Sequence, residues 1–389
     1  MSERDIKIIE VSQGKDWKDF VKLPWTIYKN DPKWVPPLLF EFNKQISKTK
    51  NPFFKYGKAK FWIANLNGTA VGRITAIINP LHNTHYGDKT GFFGYFECIE
   101  NDLVAKKLFD TASYWLFEQG CDVMSGPVNL STSNECGLLI EGFDDPPVIQ
   151  MTHNPKYYQE LINNYGFKKE IDLLAFQVMS DDLINNHKLI QKLQRFSDLI
   201  KNKGNVKFRT IDLRDFPNEL ERVRILFNDY MRDNWGFVPI EKDEFKFIGS
   251  SLKQILVKEL AIFAEVDGQP VGFSIAIPDI NEVLIKMNGK LFPMGLLKYF
   301  YYKNKVSGIR VILMGINKPF RKKGLEAIFY YHTILEGIKR KYKKAELSWV
   351  SENNAPMVQA LVNMDAKLYK RYRIYKKVIL SKTADYRES

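Results

Sequence analysis

Trp62-Ile-Ala-Asn-Leu-Asn-Gly-Thr-Ala-Val-Gly-Arg-Ile-Thr-Ala-Ile77 and Ile262-Phe-Ala-Glu-Val-Asp-Gly-Gln-Pro-Val-Gly-Phe-Ser-Ile-Ala-Ile277 are two versions of one segment. Ala64, Gly68, Val71, Gly72, Ala76 and Ile77 each recur 200 positions later. Each version is a pair of alternating apolar runs around Asn67-Gly68 or Asp267-Gly268, dipeptides that tolerate positive φ, and so reads as a β-hairpin. Two further matches keep the same order. Tyr28-Lys-Asn-Asp31 with Trp34-Val-Pro36 resembles Tyr230-Met-Arg-Asp233 with Phe237-Val-Pro239, and Asn154, Gln159, Leu161 and Asn163 answer to Asn354, Gln359, Leu361 and Asn363. The chain is a tandem duplication.

Around the hairpins each half has the order strand, helices, hairpin, strand, helix, strand, helix, strand. Expected strands lie near residues 6–10, 60–66, 70–78, 91–97 and 122–126, and again near 207–212, 261–266, 270–277, 310–316 and 344–350. Helical periodicity runs over 103–119 and 325–342, the latter placing Leu325, Ile328, Phe329, Leu335 and Ile338 on one stripe. Residues 181–203 read as a connecting helix, opened by Ser180-Asp181-Asp182 and closed by Gly204. The expected architecture is α/β (α+β), a mixed sheet covered by helices in each half. Its expected divisions are an N-terminal domain 1–180, a helical linker 181–205 and a C-terminal domain 206–389.

Composition narrows the class. The 389 residues are 45% apolar and 26% charged, values of a folded globular protein. No apolar run approaches the roughly 20 residues of a membrane span, and the charged first ten residues lack a secretory core. Cys98, Cys121 and Cys136 form no disulfide framework, so a reducing cytoplasm is the expected location. The net charge of +13 favours phosphate-bearing ligands, nucleic acid or an anionic membrane surface without choosing among them.

The chemistry concentrates in Arg310-Val-Ile-Leu-Met-Gly-Ile-Asn-Lys-Pro-Phe-Arg-Lys-Lys-Gly-Leu-Glu-Ala-Ile-Phe329. A strand runs to Ile316, and a basic loop with one glycine then opens onto a helix. Unpaired N–H groups at the helix start, together with Arg321, Lys322 and Lys323, suit a pyrophosphate. The first half has Glu97-Cys-Ile-Glu-Asn-Asp102 at this point, acidic and without glycine, so one phosphate site per chain is expected, in the second half.

Arg321-Lys-Lys-Gly324-Leu-Glu326-Ala327 resembles motif A of the GNAT superfamily of acyl-CoA-dependent N-acyltransferases, with Glu326 where the motif has a small residue. Ala345-Glu-Leu-Ser-Trp-Val-Ser-Glu-Asn-Asn354 and Ala366-Lys-Leu-Tyr369 resemble motif B. Over its length the chain is similar to a bacterial tandem-GNAT family of predicted acyltransferases, to which Asp233-Asn-Trp-Gly-Phe-Val-Pro239 and Gly126-Pro-Val-Asn129 also point. The resemblance implies an acetyl-CoA or longer acyl-CoA on Met314, Gly315, Ile316, Arg321, Lys322, Lys323, Gly324, Leu325 and Asn354. The backbone near Gly315 and Ile316 would polarise the thioester carbonyl, and Tyr369 would be the general acid. Asn354, just before Ala355-Pro356, also reads as a helix N-cap.

No carboxylate occupies 311–316, so the base is sought elsewhere: Glu97, Glu135 or His153, or a chain of waters. Trp235, Phe237, Asn134 and His153 are the expected contacts of an amine acceptor, either a small metabolite or a long-chain amino base. Two other readings keep part of this picture. One transfers from aminoacyl-tRNA, favoured by the net charge but opposed by the CoA-like loop and by the absence of a long helical-hairpin insertion between Leu325 and Tyr342, so nucleic acid is not the expected partner; the other binds acyl-CoA without catalysis. His82 and His85, in an expected loop between Pro80 and Gly87, lack further ligands, and no metal site is expected. His332 falls on the apolar stripe of its helix as a core histidine. The run bounded by Lys286 and Lys305 interleaves aromatics with lysines, as a segment at a membrane interface, at the mouth of an acyl tunnel or packed on the domain surface does. No residue pattern points to an oligomeric state.

Overall fold

The computed structural model describes residues 5–202 and 206–379. Its elements in chain order begin β1 (Ile6–Glu10), α1 (Gly14–Ile27), α2 (Leu39–Gln45), β2 (Lys58–Leu66), β3 (Thr69–Ile78), α3 (Pro80–Tyr86), β4 (Thr90–Cys98), α4 (Asp102–Glu118), β5 (Val123–Gly126), β6 (Leu138–Glu141), α5 (Tyr158–Asn164) and β7 (Lys168–Met179). They continue α6 (Ser180–Asn185), α7 (His187–Asn202), β8 (Lys207–Thr210), α8 (Phe216–Tyr230), α9 (Lys242–Leu252), β9 (Ala261–Val266), β10 (Gln269–Pro278), α10 (Asn281–Met287) and α11 (Met294–Tyr302). The last are β11 (Gly308–Ile316), α12 (Leu325–Lys339), β12 (Lys344–Ser351), α13 (Ala355–Val362) and β13 (Lys367–Val378).

The duplicated hairpins are β2–β3 and β9–β10. Both central residues of each turn have positive φ: Asn67 at 50° with Gly68 at 87°, and Asp267 at 49° with Gly268 at 76°. Two such residues give the twist that a tight hairpin needs.

The chain forms two compact units, Met1–Leu173 with Arg371–Ser389, and Leu174–Lys370. In the first unit β1 to β4 pair antiparallel in sequence order, and β4 runs parallel to β5. The end of β13 returns to lie antiparallel to β5, from Tyr375 opposite Gly126 to Val378 opposite Val123. In the second unit β8 to β11 pair antiparallel in order, and β11 runs parallel to β12. The chain therefore leaves the first unit inside β7 and comes back inside β13. The expected divisions at 180 and 205 differ from these units, because residues 371–378 complete the sheet of the first unit. The segment expected to be a linker belongs to the second. Its described part is two helices, α6 and α7, with Asn186 between them accepting from the Leu189 N–H at 3.1 Å, while Gly204, expected to close it, lies outside the described residues.

Each unit has its own core. In the first, α4 lays Val104, Ala105, Leu108, Phe109, Ala112, Trp115 and Leu116 on the sheet at helical spacing. Each large side chain so buried contributes about 1.5–3 kcal/mol relative to exposure. In the second, α12 buries Leu325, Ile328 and Phe329, while Leu335, expected on the same stripe, is 42% exposed. The His82 segment is helical: Asn79 caps α3 by accepting from the N–H groups of Leu81 and His82, and His82 is buried.

Candidate active site

In the second unit the parallel pairing of β11 with β12 runs from Gly308 opposite Lys344 to Val311 opposite Leu347, and stops. Both strands continue, β11 to Ile316 and β12 to Ser351, without further pairs. On its other side β11 stays paired with β10, but Ile275 faces Leu313 and Ala276 faces Val311, so Ile312 is an extra, bulged residue. A bulge bends the strand and increases its local twist, which carries the far half of β11 away from β12. Met314, Gly315 and Ile316 form the wall of the resulting gap. A Cβ on Gly315 would meet the Tyr230 ring at 2.7 Å, so only glycine allows that tyrosine to lie against the strand.

Past Ile316 the loop turns into α12. Arg321 donates from Nε to the Ile316 carbonyl at 2.9 Å and from Nη2 to the Tyr230 carbonyl at 3.3 Å, with its guanidinium 5.3 Å from the centre of the Tyr230 ring. Arg321 thus shapes the loop, while Lys322 and Lys323 are exposed. Asp233 pairs with Lys318 at 2.7 Å, tying the Asp233–Pro239 stretch to the same loop. Gly324 is the N-cap of α12, with φ 85° and no side chain to cap the first turn. An uncapped helix start beside two lysines has the donor set and the field that an anion requires. Asn317 adds a buried Oδ1 with no hydrogen-bond partner among the described residues. These residues fit a cofactor carrying a diphosphate and amide groups.

The first unit shows what closes such a site. There α4 starts at Asn101, whose side chain accepts from the Val104 N–H. The pairing of β4 with β5 also ends early, at Phe92 opposite Ser125. The exposed strand edge is taken, however. The Cys98 N–H donates to Tyr158 Oη at 2.9 Å, and Tyr157 Oη donates to the Cys98 carbonyl at 2.8 Å. By the repeat, Tyr157 and Tyr158 answer to Met357 and Val358, which have no hydroxyl to offer.

At the base of the gap lies a polar cluster that the sequence reading missed. Arg310 and Glu346 are register partners one pair before β11 and β12 part. Arg310 donates from Nε to Ser348 Oγ at 3.2 Å and from Nη2 to the Ser348 carbonyl at 3.1 Å. Ser348 Oγ donates to one oxygen of Glu346, and Tyr369 Oη donates to the other. Arg310, Glu346, Ser348 and Lys370 are all buried. Burial pushes the Glu346 carboxyl above its ordinary range, against the pull of Arg310 and the Ser348 hydrogen bond. The signal was available: Glu346 and Ser348 interrupt Ala345, Leu347 and Trp349 in strict alternation, marking a polar face inside a buried strand.

The other expected residues fall as follows. Asn354 caps α13, accepting from the Met357 N–H at 3.3 Å. Phe237 is buried with its ring 6.3 Å from that of Phe227, and Trp235 is half-buried. Glu97, Glu135, Asn134 and His153 lie in the first unit. Glu97 pairs with the buried Arg73 at 3.4 Å and accepts from Tyr158 at 2.7 Å, and burial raises its carboxyl. His153 Nε2 is 2.7 Å from Asp31. Glu135 accepts from Asn129 at 3.3 Å, and the Asn134 N–H donates to the Ser131 carbonyl in a turn.

Comparison with known proteins follows the same lines. No protein-family model matches the chain. A solved tandem GNAT protein from the clavulanic acid biosynthesis pathway superposes with a TM-score of 0.57 over 97% of this chain and 99% of that one, at 8% identity. The chain is 37% identical over 372 residues to Protein YghO of Escherichia coli (strain K12), covering 94% of this chain and 93% of the relative. It is 31% identical over 383 residues to the protein named Bacterial ceramide synthase of Caulobacter vibrioides (strain NA1000 / CB15N), covering 96% and 98%. The chain belongs to the family of these two bacterial proteins, and its fold is that of a tandem GNAT protein. Within the tandem-GNAT fold the two halves differ here: the first unit carries Glu97, Tyr157 and Tyr158, whereas the second has Gly315 and no tyrosine on the strand edge, with the Ile316 carbonyl accepting from Arg321 of the loop.

Proposed function

We propose that the chain is an acyl-CoA-dependent N-acyltransferase whose second unit holds the thioester and whose acceptor is a long-chain amino base. The observation that carries this reading is the gap between β11 and β12, with a basic, uncapped helix start at one end and the Tyr369–Glu346 pair at its base. Lys322, Lys323 and the backbone of Gly324 and Leu325 would hold the diphosphate, with Arg321 fixing the loop and Asn354 at the start of α13. The backbone of Met314, Gly315 and Ile316 would align the pantetheine arm as an added strand. Bound there, acyl-CoA supplies an activated carbonyl carbon, to which nitrogen bonds as the C–S bond breaks, one proton leaving nitrogen and one joining sulfur.

The chain's own groups move that proton. Tyr369 Oη accepts from the attacking amine while its own proton passes to Glu346, whose raised proton affinity suits it to the task. Tyr369 then gives a proton to the departing sulfur and is replenished from Glu346, which leaves both residues as they began. Glu97 and Glu135 rank behind this pair as bases, since Glu97 is already held by Arg73 and Tyr158 and Glu135 by Asn129. The amino-base acceptor is supported by the likeness to the Caulobacter protein named a ceramide synthase. Trp235 and Phe237 remain the proposed acceptor contacts within the second unit. The test is thiol release from palmitoyl-CoA against a panel of amines. Release with a long-chain amino alcohol, and not with glucosamine or polyamines, is the expected result, and release with none of them overturns the reading.

A water-insoluble acceptor requires contact with a membrane, and α11 offers the surface. No helix among the described residues is long and apolar enough to cross one. Phe292, Met294, Leu297, Phe300 and Tyr301 are between 55% and 71% exposed, and Lys303 and Lys305 lie over the rings of Phe300 and Tyr301. Aromatic and aliphatic side chains at headgroup depth with lysines on anionic phosphates is the pattern of an interfacial helix. The protein should float with phosphatidylglycerol vesicles and lose this with Leu297→Asp and Phe300→Asp together. No flotation of the unmodified chain removes the membrane contact.

A further inference from the structure

The second unit contains an apolar cavity of about 60 Å³ on the α12 side of its sheet. Because the bulge at Ile312 shifts the alternation by one residue, Ile309, Val311 and Met314 all face this cavity from β11. Ala345 and Leu347 face it from β12 within the paired stretch, and Met314 borders it just beyond the last pair, on the stretch that also walls the gap. Tyr330, Ile334 and Gly337 of α12 form the opposite wall. A water-sized sphere needs roughly 10–15 Å³ on this measure, so the space holds several. An ordered water also needs two to four polar partners, and a wall this apolar suits hydrocarbon better.

Gly337 is the informative residue. Glycine inside a helix is destabilising relative to alanine. Yet a Cβ at Gly337 would meet only Ile309 Cδ1, at 3.8 Å, an ordinary contact. Packing does not demand glycine here; its absent side chain keeps the far wall open.

We infer that this cavity receives the acyl chain of the thioester, entering beside Met314 and ending at Gly337, so that the protein selects acyl groups longer than acetyl. The inference rests on the acyl-CoA reading above. Each methylene buried in such a site strengthens binding about fourfold.

Calorimetric titration with CoA and with non-reactive thioether analogues of acetyl- and octanoyl-CoA tests it. The unmodified protein should bind the octanoyl analogue at least tenfold more tightly than the acetyl analogue. Gly337→Leu should reduce that ratio to below about threefold with unchanged affinity for CoA itself, and Gly337→Ala should leave most of it. Should Gly337→Leu fail to fold, an octanoyl-CoA analogue with a terminal diazirine decides on the unmodified protein, where crosslinks are expected in α12 and β11. Equal affinity for the two analogues, an undiminished ratio in Gly337→Leu, or crosslinks elsewhere would overturn the acyl cavity while leaving the diphosphate site standing. Failure of CoA to bind at all would remove the diphosphate site and the cavity's role together.

Discussion

Replacing Glu346 by Gln should lower turnover with palmitoyl-CoA and the best amine by two to three orders of magnitude, the usual contribution of a positioned acid–base group. Affinity for CoA should stay within twofold, since Glu346 lies at the base of the gap, away from the lysines. Tyr369→Phe should give a similar loss, and the double variant little more, because the two groups hand on one proton. The pH dependence has a definite sign. Glu346 acts as a base only when ionised, so turnover of the unmodified protein rises with pH through the elevated folded pKa, and Glu346→Gln flattens that limb. Stability runs the other way. Between the ordinary carboxylate range and the raised folded value the native state holds more protons than the unfolded chain, so stability falls as pH rises through that window. Initial rates across pH, with urea unfolding at the same pH values, measure both. Unchanged turnover in Glu346→Gln would remove the pair from the reaction.

The second large effect is expected at the loop before α12. Reversing Lys322 and Lys323 to Glu should weaken CoA binding by about 2–3 kcal/mol, or 30- to 150-fold, at low ionic strength. The loss should shrink at high salt, because exposed charges are screened within a Debye length. Both side chains are exposed, so the melting temperature should hold. Dephospho-CoA, which keeps the diphosphate but lacks the ribose phosphate, should lose nearly as much as CoA does. Affinity unaltered by the double reversal would mean that the diphosphate is held elsewhere.

Much of the fold was legible because the hairpins are local. Asn67-Gly68 and Asp267-Gly268 specify their turns within a few residues, and the alternation on either side specifies the strands. The loop proposed to hold the diphosphate was legible for the same reason, since a basic run, a glycine and a helix start are neighbours along the chain. Glu346 was harder to see. Its meaning depends on Arg310, Ser348 and Tyr369, which only the sheet brings together, and an isolated glutamate in a strand carries no sign of the company it keeps.

The amino-acid sequence by itself determined that the chain is duplicated, that each half carries the same order of strands and helices, and that one half alone has a basic turn suited to a diphosphate. Those are properties of spacing and residue type, read over short distances. The tertiary structure decided that the final strand of the second half completes the sheet of the first unit, that Tyr157 and Tyr158 bond the strand edge at Cys98 where the second unit has Met357, Val358 and a loop arginine on the Ile316 carbonyl, and that a bulge at Ile312 aims Met314 into an apolar cavity. Each depends on which backbone hydrogen bonds are satisfied by which distant partner, and two halves with one pattern of elements cannot announce that choice in their order along the chain.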